Sequence, residues 1–516
     1  MTWKKRYAWI VPAGALAALA AALGISGGGP GREVLEAAPL RRTANISPDY
    51  AGITLPPNIS PLNFRIDEPG ERFWVRIRSA GGEPIELGGR SRKIRIPAGP
   101  WRSLLAANRG KELLVDVCVK SEDGWQRFQP LTSRIAPEEI DSHIAYRLMK
   151  PQYNFYRNLG VYQRNLETFD EDLILHGRSY KHGCVNCHTF LNNDPENMFL
   201  AVRTPVHDNA ALLVQDGQIE TIDTPFGHTA WHPSGRIAVF SRYDVRMFFH
   251  TARTEVRDVV EFNSLLGYYK LDTQELTTDP AIADKDQLET QPTWSPDGRY
   301  LYFASAPMLW EYRTKFPPDR YAELQYDLKR VSYDVEKDEW GQVETVLAAE
   351  ETGMSILTPR LSPGGRFLLF TMCDYSCFAL YQPSADLYMM DLETREYHRL
   401  DCNSEFSESW HSWSSNGRWI VFSSKRPTGI FTRLYISYID EQGHASKPFL
   451  LPQEDPEFYD AFVKLYNVPE FITGPVEMPT RAFVEAVRTS DRIQVDAITA
   501  ATAKAPGPET WRPGPE

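Results

Sequence analysis

One turn phrase recurs four times along the 516-residue chain with little decay. It reads Trp231-His-Pro-Ser-Gly-Arg-Ile-Ala-Val-Phe-Ser241 and Trp294-Ser-Pro-Asp-Gly-Arg-Tyr-Leu-Tyr-Phe-Ala304. It returns as Leu361-Ser-Pro-Gly-Gly-Arg-Phe-Leu-Leu-Phe-Thr371 and Trp413-Ser-Ser-Asn-Gly-Arg-Trp-Ile-Val-Phe-Ser423. Each copy spells a short strand, a tight turn with Gly where positive φ is needed, and an apolar strand. Self-similarity of this kind marks a propeller or a solenoid, whose repeats bury their apolar faces on one another. A β-sandwich with repeated hairpins is the rival reading, and four copies of one phrase weigh against it.

A second phrase follows most copies: an alternating strand, an acidic or polar turn and a further strand, as in Gly267–Thr273, Leu387–Thr394 and Leu434–Asp440. It also occurs earlier, as Gly160–Thr168 behind the strand-like His143–Arg147, and a degenerate turn phrase covers Asn193–Val202. The pattern predicts an all-β fold with six blades, at 139–178, 189–224, 228–280, 290–349, 356–402 and 410–450. The first is the least regular, because Pro151–Asn158 interrupts it.

Before this region, Pro57–Ile135 alternates at period two between Gly and Pro turns, in Phe64–Asp67, Phe73–Arg78, Lys93–Ile96, Glu112–Cys118 and Trp125–Phe128. Residues 57–136 read as a small immunoglobulin-like sandwich, 28–56 as a linker, 451–499 as a C-terminal extension with a helix over Pro479–Thr489, and 500–516 as a disordered tail. At the amino terminus Lys4, Lys5 and Arg6 precede an apolar run, Tyr7–Ile25. Residues 1–27 therefore read as a signal peptide or an inner-membrane anchor, which places the rest of the chain in the periplasm.

Within Gly183–Phe190 stands Cys184-Val185-Asn186-Cys187-His188. Two thiols at this spacing can add to the vinyl groups on one edge of a porphyrin, and the next histidine can ligate the iron. The sequence thus predicts one covalent haem c on Cys184 and Cys187, with His188 as proximal ligand. A zinc half-site would need a second ligand pair. The downstream candidate, His228 with His232, lies ~40 residues on, longer than in a compact zinc finger. A thioredoxin-type pair would open a helix in a βαβ unit, and none surrounds the motif. Export and haem attachment agree, since c-type haem is added on the exported face of bacterial membranes. Of the other cysteines, Cys373 could pair with Cys377 or Cys402, and Cys118 reads as a buried free thiol.

The Trp-Ser-Pro-Asp-Gly-Arg phrase with its Phe-Ser strand end resembles the repeat of TolB-like six-bladed propellers, over roughly Ile144–Leu450. With one Cys-x-x-Cys-His between the first two blades, the chain is similar to a group of bacterial envelope haem-propeller proteins. Phe406–Trp413 and Phe471–Pro475 look like that group too. The resemblance implies a haem-carrying propeller and no particular reaction. In TolB-like blades the residues just before the Trp start the innermost strand, so His228 and His411 become candidates for a distal iron ligand. His411 is preferred, because Trp410 and Trp413 flank it with indole donors and apolar walls. His232 reads as a turn cap and Met198 as core, while His182 is too close to Cys184 to swing across.

A second strong ligand would make an electron carrier, and an open position a small-molecule or peroxide site. Electron transfer, or a haem-bearing subunit of an envelope redox complex, is the favoured function. A binding scaffold with structural haem and a peroxidase-type enzyme are the alternatives. Net charge −12 argues against nucleic acid and suits a basic periplasmic or membrane redox partner. The chain itself is tethered to the membrane if its N-terminal segment is uncleaved.

Overall fold

The computed structural model describes residues 30–36, 38–150, 158–253, 255–311 and 315–495. The signal or anchor segment 1–27, most of Pro151–Asn158 and the tail 500–516 lie outside the described residues. No helix among the described residues is long and apolar enough to cross a membrane.

Six four-stranded antiparallel sheets follow one another along the chain. Five are built from consecutive strands. The second runs Cys184–Leu191, Asp194–Arg203, Ala210–Gln215, Gln218–Ile222, and the sixth runs Glu408–Trp413, Trp419–Ser424, Arg433–Tyr438, Phe449–Leu450. Inner strands touch in order, from Leu465–Ile472 through Cys184–Leu191, Thr229–Trp231, Gln287–Trp294, Ser355–Leu361 and Glu408–Trp413, and back to Leu465–Ile472. The architecture is all-β and propeller-like.

The four turn phrases fold as their residues require. Gly235, Gly298, Gly365 and Gly417 sit at φ +73, +71, +75 and +67°, where a side chain would be strained. In the second copy Ser295 Oγ donates to Asp297 Oδ1 at 2.6 Å and accepts from Tyr300 N at 2.9 Å, so the turn carries its own polar partners.

Two expectations change. The first sheet takes its inner strand from the far end of the chain: Leu465–Ile472 pairs antiparallel with His143–Met149, His143 opposite Ile472. Part of the expected C-terminal extension therefore completes a sheet, because nothing upstream of His143 pairs with that strand's open edge. The helix Thr480–Arg488 follows, burying Phe483 and Val487 against the first and second sheets. Full burial of such a side chain is worth roughly 1.5–3 kcal/mol. Second, the haem motif is not a loop between the first two sheets. Cys184–Leu191 is itself the inner strand of the second sheet. Its Val185 and Phe190 bury into the core, and Asn192 and Asn193, at φ +51 and +63°, turn the chain back.

The N-terminal region holds a three-stranded sheet (Ile46–Ser47, Phe64–Ile66, Lys93–Ile94) and a six-stranded one that includes Thr54–Leu55 and Glu112–Ser121. The strands at 46–47 and 54–55 lie inside the stretch read as a linker. A helix absent from the sandwich reading, Ala98–Ala106, buries Trp101, Leu104 and Leu105. The core runs on from Val75 and Ile135 to Trp419, Leu434 and Tyr466, so this region packs on the sixth and first sheets.

Candidate functional site

In five of the six inner strands the register slips, and a non-glycine residue there has positive φ: Val468 (46°), Cys187 (51°), Gln291 (55°), Thr358 (50°) and Trp410 (47°). Each stands three residues before the apolar residue at the head of a turn: Phe471, Phe190, Trp294, Leu361 and Trp413. His228 holds the matching place before Trp231. A bulge frees one residue from the ladder and re-aims its side chain, and a left-handed non-glycine costs on the order of 1 kcal/mol. In five of the six sheets the fold thus accepts strain to re-aim one residue of the inner strand.

Those residues meet. His228 stacks on Trp410 of the sixth sheet, ring centroids 5.4 Å apart and planes 26° apart. The Tyr243 ring lies 5.5 Å from His228, and its Oη is 3.9 Å from Cys187 Sγ. The Arg203 guanidinium lies over the Tyr243 ring at 5.7 Å. Arg203 is also the strand partner of Cys184. Both thiols are free and buried, and both feel Arg203 and Tyr243. Burial raises the Cys187 thiol above its ordinary range.

His188, one residue past the bulge, is 3 % exposed, and neither ring nitrogen has a hydrogen-bond partner. The backbone of Val468 and Ala145 lies near it without hydrogen-bond geometry. Burial, and then the neighbouring Arg147, pushes its pKa down to about 3, which leaves the neutral imidazole that ligates metals.

His411 takes the equivalent place in the sixth sheet, but its Nε2 lies 3.2 Å from the Leu369 carbonyl oxygen. The structure therefore brings His228 into the company of the cysteines and engages His411 with the fifth sheet. The indoles expected to surround His411 are used elsewhere: Trp410 stacks on His228, and Trp413 Nε1 donates to Arg360 O at 3.1 Å. His232 caps its turn by accepting from Ser234 N at 3.2 Å, and Met198 is fully buried core. His182, two residues before Cys184, has φ +63°. Cys118, Cys373, Cys377 and Cys402 are all free and buried, with Cys373 Sγ donating to Tyr375 O at 3.1 Å.

Beside this ring, the long hairpin of the third sheet, Ile237–Phe249 and Arg257–Lys270, meets the sixth sheet through a buried ion pair of Glu255 with Lys425. Arg257 donates to Glu255 at 2.9 Å and lies over Tyr381, and Phe378 packs edge-on against Trp410.

The residues present fit a covalently attached haem: two reduced thiols in one electrostatic setting, followed by a neutral histidine with free nitrogens. Among the described residues no three His, Cys, Asp or Glu side chains group around a bare metal ion. A porphyrin, which brings its own equatorial nitrogens, needs no such group. Arg147, Arg203 and Tyr243 were not singled out from sequence. The Asn192-Asn193 turn signals the hairpin, but two register shifts within it are what bring Arg203 across from Cys184.

Neither the known family models nor the curated proteins give a match. Among solved structures, the chain is similar to an oligogalacturonate lyase from Vibrio parahaemolyticus, at 11 % identity over 58 % of this chain and 92 % of that one, TM-score 0.31. It is also similar to hydrazine synthase from Kuenenia stuttgartiensis, at 12 % identity over 51 % of this chain and 65 % of that one, TM-score 0.30. Prolyl oligopeptidase B from Galerina marginata aligns at 12 % identity over 76 % of this chain and 54 % of that one, TM-score 0.33.

Proposed function

We propose that the chain is a periplasmic c-type monohaem protein built as a six-bladed TolB-like propeller, and that its haem exchanges single electrons with a periplasmic or membrane redox protein. The observation that carries this reading is the pairing of two free thiols beside Arg203 and Tyr243 with His188, whose ring is buried, neutral and without a hydrogen bond. A buried imidazole with unsatisfied nitrogens forfeits on the order of 1–3 kcal/mol, a cost that iron ligation at one of them would reduce. Cys184 and Cys187 hold the porphyrin and His188 is the proximal ligand. The bound haem supplies a one-electron iron couple. His228 is the better candidate for the distal position, because Tyr243 links it to Cys187. The basic n-region and apolar run of residues 1–27 support export.

Visible spectra of the haem-loaded protein test the ligand set. His228→Ala should convert a low-spin spectrum to a high-spin one that binds cyanide readily, while His411→Ala leaves it unchanged. The reverse result would reinstate His411. Stopped-flow reduction by a soluble periplasmic cytochrome tests the role. With net charge −12, the encounter with a basic partner should be fast and slow markedly with salt, since exposed charges are screened over about 10 Å at 0.1 M. Ready peroxide turnover without electron exchange from any donor would favour an enzyme instead.

A further inference from the structure

Three arginines from three sheets converge on the interior of the ring. Arg147 lies in His143–Met149 of the first sheet, Arg203 ends Asp194–Arg203 of the second, and Arg360 lies in Ser355–Leu361 of the fifth. His228 lies within electrostatic reach of all three. Arg147 donates to Asn186 Oδ1, next to Cys187. Arg203 covers the Tyr243 ring at 5.7 Å, and Arg360 donates to Pro359 O at 3.0 Å.

Their charges are not matched as their neighbours' are. Lys425 and Arg257 share Glu255, and Arg426 holds Glu408 at 2.8 Å. Among the described residues Arg147, Arg203 and Arg360 make no ion pair. The carboxyl that Arg360 feels is Glu470, and burial raises its pKa to about 7, so it carries only part of a charge near neutrality. Donors are also left over. Arg147 Nε and Trp410 Nε1 have no hydrogen-bond partner, and both residues are 6 % exposed. Arg147 is buried, Arg203 and Arg360 are half-buried, and holding such cations without a counter-charge is costly, so a fold that brings the three together beside spare donors is built to receive an anion. Guanidinium forks match the two oxygens of a carboxylate, and the Trp410 and Tyr243 rings give an organic anion an apolar wall.

We propose that Arg147, Arg203 and Arg360 form a carboxylate-binding site inside the ring, with Trp410 Nε1 as a further donor. The carboxylate has two possible sources. One is the propionates of a haem on Cys184 and Cys187, which rests on the function proposed above. The other is a free di- or tricarboxylate, which does not.

The test is calorimetric titration of the full chain carrying Cys184→Ala and Cys187→Ala with succinate, citrate and inorganic phosphate at low ionic strength. Saturable binding of succinate or citrate is expected. Arg203→Gln should weaken it at least tenfold, while Arg203→Lys, which keeps the charge but not the fork and guards against a folding artefact, should weaken it less. Repeating the titration on haem-loaded wild type separates the sources: binding lost there assigns the site to the propionates, and binding kept assigns it to a free carboxylate. In the haem-loaded protein Arg203→Gln should also lower the midpoint potential more than Arg203→Lys, because a cation near the iron disfavours the oxidised state. Either signal upholds the site. Absence of both overturns it, as does phosphate binding as tight as that of the carboxylates. If no haem attaches, the titration of the cysteine-free chain decides alone.

Discussion

Cys184–Leu191 and Glu408–Trp413 hold the same place in the second and sixth sheets. Each is an inner strand with a left-handed bulge residue, Cys187 at φ 51° and Trp410 at φ 47°, followed directly by a histidine. What each backbone presents differs. In the sixth sheet Glu408 is fully buried and takes bonds from Ser404, Ser424 and Arg426, and His411 Nε2 has the Leu369 carbonyl. In the second sheet Val185 stands where Glu408 would, and His188 has no hydrogen bond at either nitrogen. Repetition supplies a backbone bulge that re-aims one residue in five of the six inner strands. The sixth-sheet strand also leaves Trp410 Nε1 and His411 Nδ1 unpartnered, but only in the second sheet is the histidine without a bond at both nitrogens.

The largest expected effect is at Glu408. Glu408→Ala removes the acceptor of Arg426 Nη2 at 2.8 Å, Ser404 Oγ at 2.7 Å and Ser424 Oγ at 2.7 Å, leaving a half-buried cation uncompensated. A loss of about 3–5 kcal/mol is expected. Val185→Ala, at the same place in the second sheet, should cost about 2 kcal/mol from lost burial and a small cavity. Urea midpoints of the two variants check this. Equal losses would break the contrast between a charge-locked and an apolar strand.

The fourth sheet sharpens the same position. Glu289, two residues before the bulge at Gln291, makes no ion pair among the described residues, and burial pushes its pKa up to about 8 against the weaker pull of Lys329. The sign follows directly. A folded-state pKa above the unfolded one gives stability that is full below about pH 4.5 and is lost as pH rises toward 8, at roughly 1.4 kcal/mol per unit. Glu289→Gln should flatten that decline, so that the variant gains on wild type between pH 5 and pH 8 by a few kcal/mol at most. Parallel pH–stability curves for the two proteins would remove Glu289 as the cause.

The smallest effect is at the head of the turn. Trp413 Nε1 donates to Arg360 O at 3.1 Å, and the second sheet has Phe190 there without that bond. Trp413→Phe should therefore cost only about 1 kcal/mol, read as a small drop in the urea midpoint. A loss as large as that of Glu408→Ala would mean that the indole holds the fifth and sixth sheets together by more than one hydrogen bond.

Much of this was legible in the chain because it is local. The Gly-Arg turns at 235–236, 298–299, 365–366 and 417–418 announce four sheets, and the haem motif is contiguous. The closing strand Leu465–Ile472 was not legible, since it lacks the turn phrase and pairs with a strand at the other end of the propeller region. Nor was the motif's place in a strand: Gly183 before it and Asn192-Asn193 after it read as loop punctuation, yet they frame a hairpin. Arg147, Arg203 and Tyr243 belong to three sheets, and only the bulges decide that they face Cys187 and His228. A one-residue slip in strand register reverses every side chain, and five bulges put that detail beyond pattern reading.

The central claim is that the second sheet's inner strand carries a covalent haem. Full-length protein expressed with a cytochrome c maturation system should stain for haem on a denaturing gel, and mass spectrometry should place one haem on the peptide spanning Cys184 and Cys187. Cys184→Ala combined with Cys187→Ala should abolish the stain. Staining that survives the double substitution, or zinc bound in place of haem on the wild-type chain, would contradict the account.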